Sequence, residues 1–101
     1  MYDMKNLKQL DSLSKNASEA MKAFQKFDNI ALQEGAIPIK YKELMAVAVA
    51  LTTQCPYCLE IHKTKAINAG ATQEELAETT FIAAVLRAGA AVVHGAHLME
   101  K

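Results

Sequence analysis

The sequence predicts an all-α protein, a compact bundle of about five to six helices, and three observations carry that prediction. The chain holds 18 alanines, the residue that costs least to place in a helix. Its apolar residues recur at three- and four-residue steps, the spacing of one helix face. Helix starts and stops punctuate it throughout, whereas Asn-Gly and Asp-Gly hairpin turns are absent and β-branched runs are few outside Ala46–Leu51.

Each element follows in order. Leu7, Leu10 and Leu13 give a weak opening segment, so residues 1–17 read as an N-terminal extension with helical character. Ala20, Ala23, Phe24, Phe27, Ile30 and Ala31 then mark an amphipathic helix over Ser18–Glu34. Gly35 suits the C′ position of that helix and Pro38 follows a helix stop. A second helix is expected over Lys40–Thr53. Its centre, Leu44–Leu51, is apolar on every face and predicts packing on all sides.

Thr52, Thr53 and Gln54 make a break, after which Pro56 fits the first turn of a new helix, where its missing N–H has no partner to lose. That helix runs to about Ala69 and ends at Gly70. Thr72-Gln73-Glu74-Glu75 is a capping box for a fourth helix ending near Arg87-Ala88-Gly89. A last helix, Ala90–Met99, carries Val92, Val93, His94, His97 and Leu98. The small-residue run Ala88–Ala91 lets helices approach closely. Without repeat, linker or low-complexity tract, the chain reads as a single domain over 1–101.

Composition narrows the partners. With 11 acidic and 11 basic residues the formal net charge is zero, which argues against nucleic acid or an anionic membrane, both bound through clustered Lys and Arg. A 51% apolar share is large for so short a chain, which has much surface for its volume. A homo-oligomer is therefore expected. The opening residues lack an apolar leader, and the apolar runs read as shorter than the roughly 20 residues a bilayer requires. A cytoplasmic location is expected.

The reactive groups concentrate in one stretch. The only two cysteines, Cys55 and Cys58, stand three residues apart, with His62 four further on and Glu43 at the head of the preceding apolar run. In a reducing compartment a Cys-x-x-Cys pair suits catalysis or metal binding rather than a structural staple. On a helix beginning at Cys55, the two cysteines and His62 share one stripe, and Cα atoms three apart stand about 5–5.5 Å from each other, within disulfide range. The helix N-terminus favours a thiolate. Helix-end placement favours Cys55 as the attacking thiol, whereas nearness to His62 favours Cys58. Glu43 lies roughly 120° off that stripe by periodicity. It reaches the thiols only if the turn at Thr52–Gln54 folds the second helix back onto the third.

Glu43, eleven intervening residues, Cys55-Pro56-Tyr57-Cys58, three residues and His62 resemble the active-site signature of the alkylhydroperoxidase D-like, or carboxymuconolactone decarboxylase, family. The flanks are similar too: Lys42-Glu43-Leu44 before the apolar helix, and His62-x-x-x-Ala66 followed by Ala69-Gly70-Ala71-Thr72. The resemblance covers roughly Ala20 to Lys101. It implies a helical domain that assembles as trimers or hexamers and a cofactor-free peroxidase or thiol–disulfide exchange activity. The catalytic set would be Glu43, Cys55, Cys58 and His62, with a hydroperoxide as substrate and an external dithiol, thioredoxin-like or lipoyl, as reductant. Tyr57 stands where some members carry a second histidine, so a relay through that position is not implied. Lactone decarboxylases of the superfamily lack the cysteine pair, which makes decarboxylation the lesser alternative.

Blander readings compete with these. Cys55, Cys58 and His62 could ligate zinc, with Glu43, His94 or His97 as fourth ligand. The protein could also be a structural oligomer. His94 and His97 read as packing or interface residues, and Arg87 as a subunit-contact residue or a bystander. Phe24, Phe27 and Phe81 read as core, and Lys63 and Lys65 as solvated.

Overall fold

In a computed structural model, residues 3–100 are described and all regular structure among them is helical. A 3-10 turn, Met4–Gln9, leads into α1 (Leu10–Asn16) and α2 (Ser18–Leu32). Then come α3 (Ile39–Thr53), α4 (Pro56–Asn68), α5 (Gln73–Gly95) and a closing 3-10 turn, Ala96–Met99. The expected N-terminal extension is thus helical, and α2, α3 and α4 sit where the periodicity placed them.

The bundle centres on α3, which packs against both α4 and α5. Its contact stripe is Leu44, Val47 and Ala50, met by Ala66 of α4 and Ala83 of α5. Small side chains at these crossings bring the helix axes close and bury the polar Glu43 and Thr79 among them. The all-round packing expected of α3 is not reached within one chain, because Met45 and Val49 remain 51% and 59% exposed. Helices α4 and α5, with a smaller contribution from α2, cover the rest of α3 and leave these two side chains at the surface.

The junctions explain why the helices stop where they do. Gly35 does not cap α2, which ends at Leu32 with Gln33 in extended conformation. At that end Lys42 Nζ donates to the Ala31 carbonyl (2.9 Å), and beyond it Glu34 accepts from the first N–H of α3, at Ile39 (3.2 Å). Gly70 does fulfil its expected role. With φ of 101° it follows α4, and its N–H and that of Ala71 return to the carbonyls of Ile67 and Ala66, a Schellman closure. The capping box at Thr72 is complete, the Thr72 N–H donating to Glu75 Oε1 (2.9 Å) and the Glu75 N–H to Thr72 Oγ1 (3.1 Å). Glu75 also pairs with Lys40 at 3.0 Å, tying the start of α5 to the start of α3.

The expected break at Gly89 does not occur. Among the glycines only Gly70 takes positive φ, and α5 continues through Gly89 to Gly95. A glycine costs a helix interior about 1 kcal/mol relative to alanine, and the alanines at 88, 90 and 91 supply the compensating propensity. The apolar stretch is consequently longer than the sequence reading allowed: Gln73–Met99 is a 27-residue stretch whose most apolar window has mean hydropathy 1.6, enough by length and composition to cross a bilayer. Here it is an element of the bundle, anchored on α3 through Thr79, Ala83 and Arg87.

While α3, α4 and α5 bundle, α1 and α2 reach outward. The radius of gyration is 17.0 Å, against about 13 Å for a compact chain of this length. Phe24 and Phe27 of α2 and Phe81 of α5, expected in the core, are exposed. A single copy has no layer to set against them.

Candidate active site

The site is built where α3 turns back into α4. Gln54, the last residue before the cysteines, adopts left-handed backbone (φ 57°, ψ 46°), and the Cys55 N–H returns to the Ala50 carbonyl at 3.2 Å. This reversal is what the Thr52–Gln54 break had to supply. Arg87 braces it from α5, its Nη1 donating to the Thr52 carbonyl at 2.6 Å. That carbonyl is one of those a helix C-terminus leaves without an intrahelical partner.

Cys55 and Cys58 are joined as a disulfide with Cα atoms 5.3 Å apart, the separation expected for this spacing. Cys55 is the N-cap of α4, with Pro56 in the first turn, and its sulfur accepts the Cys58 N–H at 3.2 Å. In the reduced state that N–H and the helix dipole favour negative charge on Cys55. Cys58 is exposed and Cys55 half-buried. Cys55 borders an apolar hollow of about 270 Å³ with Ala50, Leu51, Gln54, Pro56 and Leu59.

Glu43 and His62 meet from different helices. The His62 ring, one helical turn beyond Cys58, places Nδ1 2.6 Å from Glu43 Oε2, with the carboxylate side chain only 5% exposed. A carboxylate so far from water requires a hydrogen-bonded partner, and His62 provides it. With Nδ1–H donating to the carboxylate, Nε2 becomes the ring's proton acceptor. Residues four apart on a helix hold their Cβ atoms about 5–6 Å apart, which sets the imidazole beside Cys58. On its other side Glu43 borders a cleft of about 460 Å³ lined also by Asp28, Gln33, Lys65 and Asn68.

The structure therefore pairs Glu43 with His62 and Cys55 with Cys58, and the four-residue step from Cys58 to His62 along α4 links the two pairs of residues singled out from the sequence. It leaves His94 and His97 apart from them: their rings stack edge to face 5.5 Å apart at the end of α5, and His97 meets Glu100 at 3.3 Å. Among the described residues no group of three or more His, Cys, Asp and Glu is arranged to hold a metal ion. Three structural features around the site escaped the sequence reading. Gln54 carried no sign of its left-handed backbone, Arg87 no sign of its carbonyl partner, and Tyr57 no sign of its contact with residues 3–6.

An all-helical fold in which a buried carboxylate–imidazole pair adjoins a Cys-x-x-Cys disulfide defines a class of thiol-bearing helical proteins. The chain belongs to the carboxymuconolactone decarboxylase family, whose model matches residues 18–101. It is similar to a carboxymuconolactone decarboxylase family protein from Legionella pneumophila (TM-score 0.77, 34% identity, 91% of this chain and 82% of that one). A protein from Methanobacterium thermoautotrophicum is also similar in structure (TM-score 0.82, 30% identity, 89% and 98% covered). In sequence the chain resembles uncharacterized protein 4 in the cox locus of Paracoccus denitrificans, 44% identical over 72 residues, 71% of this chain. An uncharacterized protein of Cupriavidus necator is 39% identical over 75 residues, 74% of this chain. The chain spans 65% and 66% of the length of these two relatives.

Proposed function

We propose that this protein is a thiol-dependent oxidoreductase that reduces hydroperoxides through Cys55 and Cys58, in the manner of the alkylhydroperoxidase D-like proteins it resembles. The observation that carries this reading is the 2.6 Å Glu43–His62 contact one turn from a formed Cys55–Cys58 disulfide. In the reduced enzyme His62 Nε2 takes the Cys58 proton, and Glu43 holds the ring in the required tautomer. The Cys58 thiolate attacks the O–O bond, becomes a sulfenic acid and expels an alkoxide, to which His62 returns the proton. Cys55 then attacks the sulfenic sulfur, forming the disulfide and releasing water.

An external dithiol completes the cycle. Its thiolate attacks the exposed Cys58 sulfur, and Cys55 departs as a thiolate favoured by the α4 N-terminus. The second thiol resolves the mixed disulfide, so two electrons and two protons pass to the enzyme and the reductant becomes a disulfide. The apolar hollow beside Cys55 suits the alkyl part of an organic hydroperoxide. No cofactor takes part in these steps.

The protein acts as a homo-oligomer in the cytoplasm on this reading. The exposed apolar faces of α2 and α5, with Phe81 at 73% and Val92 at 76%, are those a subunit interface would cover.

The test is hydroperoxide consumption with dithiothreitol, comparing wild type with Cys55→Ser, Cys58→Ser, His62→Gln and Glu43→Gln. Both serine variants are expected to lose turnover. The relay variants are expected to fall by about 10²-fold or more, the usual scale of general acid–base catalysis. Equal rates across the set overturn the reading.

A further inference from the structure

We propose that the segment Asp3–Asn16 is a strap whose hold on Tyr57 selects, by size, which reductants reach the Cys55–Cys58 disulfide. The inference rests on the reading that an external dithiol re-reduces this disulfide. The family model matches residues 18–101, so the strap lies outside the stretch that model covers.

Its placement is specific. The Asp3 N–H and Asn6 Nδ2 both donate to the Tyr57 hydroxyl, at 3.4 and 3.2 Å, across 54 and 51 residues of sequence. Tyr57 is the residue immediately before Cys58, in the first turn of α4. The strap's own start is fixed by Asp3, whose Oδ1 accepts the Lys5 N–H at 2.9 Å and caps the 3-10 turn. Met4 and Leu7, three residues apart and so on one edge of that turn, are half-buried, while their neighbours at 5, 6, 8 and 9 are exposed. The 3-10 turn thus turns one apolar edge inward and meets the active-site turn through Tyr57.

Its hold is light. Packing of α1 is mainly onto α2 and the 3-10 turn, and no residue of either element is fully buried. Segments with few buried contacts open locally at little cost. When dithiol reduces disulfide, the incoming thiolate must reach the Cys58 sulfur beside Tyr57. A molecule the size of dithiothreitol needs little clearance. A protein dithiol must bring a docking face, commonly several hundred Å² per partner, to the surface where the strap lies, so its attack waits for the strap to lift.

The experiment measures second-order rate constants for reduction of the oxidised protein by dithiothreitol and by a purified thioredoxin, in wild type, Tyr57→Phe and Asn6→Ala. Asn6→Ala, which removes one of the two hydrogen bonds, is expected to raise the thioredoxin rate roughly five-fold, the change in opening equilibrium that one net hydrogen bond commands; Tyr57→Phe, which removes both, should raise it at least as much, and both should leave the dithiothreitol rate within about two-fold. Equal acceleration of both reductants, no acceleration, or a slower thioredoxin reaction each overturns the strap. A disulfide that dithiothreitol fails to reduce in any of the three proteins overturns instead the redox reading beneath it. Using two variants on opposite sides of the contact separates loss of the strap from a fault confined to the Cys-x-x-Cys turn.

Discussion

Glu43 and His62, nineteen residues apart in sequence, share a 2.6 Å hydrogen bond between the buried wall of α3 and the middle of α4. The contact needs the reversal at Gln54, because no continuous helix puts these side chains on one face. In the proposed mechanism it couples folding to chemistry: the same hydrogen bond that satisfies a desolvated carboxylate holds the tautomer of the imidazole one helical turn from Cys58.

That coupling predicts two separable losses at His62. His62→Ala leaves the Glu43 carboxylate buried without its partner and should destabilise the fold by about 3 kcal/mol. His62→Gln, which keeps a hydrogen-bond donor, should cost less in stability yet lose the proton transfer. Denaturant unfolding of both variants, read beside their peroxidase rates, checks this. A His62→Ala protein as stable as wild type would show that the pair contributes nothing to the fold.

Left-handed backbone at Gln54 costs a side chain about 1–2 kcal/mol, and a β-branched residue suffers more there. Gln54→Val is expected to lower stability by at least about 1 kcal/mol and to slow peroxide turnover by shifting Cys55 and Cys58 relative to His62. Gln54→Gly, free of that clash, should retain activity. Thermal melts and initial rates on the two variants are the measurement. The idea fails if valine behaves as glycine does.

The Lys40–Glu75 bridge gives a pH dependence of definite sign. The Thr72 N–H, and after it the Lys40 ammonium, hold the Glu75 carboxyl below its ordinary 4.5. The hydrogen bond to Glu75 holds Lys40 above its ordinary 10.5. A lowered carboxyl contributes stability that is present above 4.5 and lost as the pH falls through the more acid folded value; a raised ammonium contributes stability present below 10.5 and lost above the raised value. Glu75→Gln should therefore melt below wild type at neutral pH, and the gap should close as the pH falls below 4.5 and through the lowered Glu75 value. Because the bridge is at the surface, added salt should narrow the gap. A gap unchanged between neutral and acid solution would remove the bridge as its cause.

The apolar faces predict assembly. Phe81→Glu together with Val85→Glu places charge on an exposed stretch of α5, where the native residues are 73% and 61% exposed. Sedimentation should show wild type as a multimer and the double variant shifted toward monomer, with lower thermal stability. Wild type sedimenting as a monomer at micromolar concentration would leave these faces without a subunit to cover them.

Much of this was legible in the residues alone. Helix type, the capping box at Thr72, the stop at Gly70 and the start at Pro56 are local matters, fixed by propensity and by which backbone groups a neighbouring side chain can satisfy. The spacing of Cys55, Cys58 and His62 is likewise local, since three and four residues along a helix define a distance. Gly35 and Gly89 misled because a glycine permits a stop without requiring one; α2 ended at Leu32, ahead of the first, and the alanines around Gly89 carried α5 past the second.

What tertiary structure alone decided is everything that depends on one helix meeting another. Periodicity put Glu43 off the cysteine stripe, and only the fold-back of α3 onto α4 turned it into the partner of His62. The same holds for Arg87 on the Thr52 carbonyl and for residues 3–6 on Tyr57, contacts spanning 35 to 54 residues. A sequence states which groups a segment carries and how far apart they lie along it. Which of them meet is set by how apolar faces bury one another, and that is a property of the whole chain.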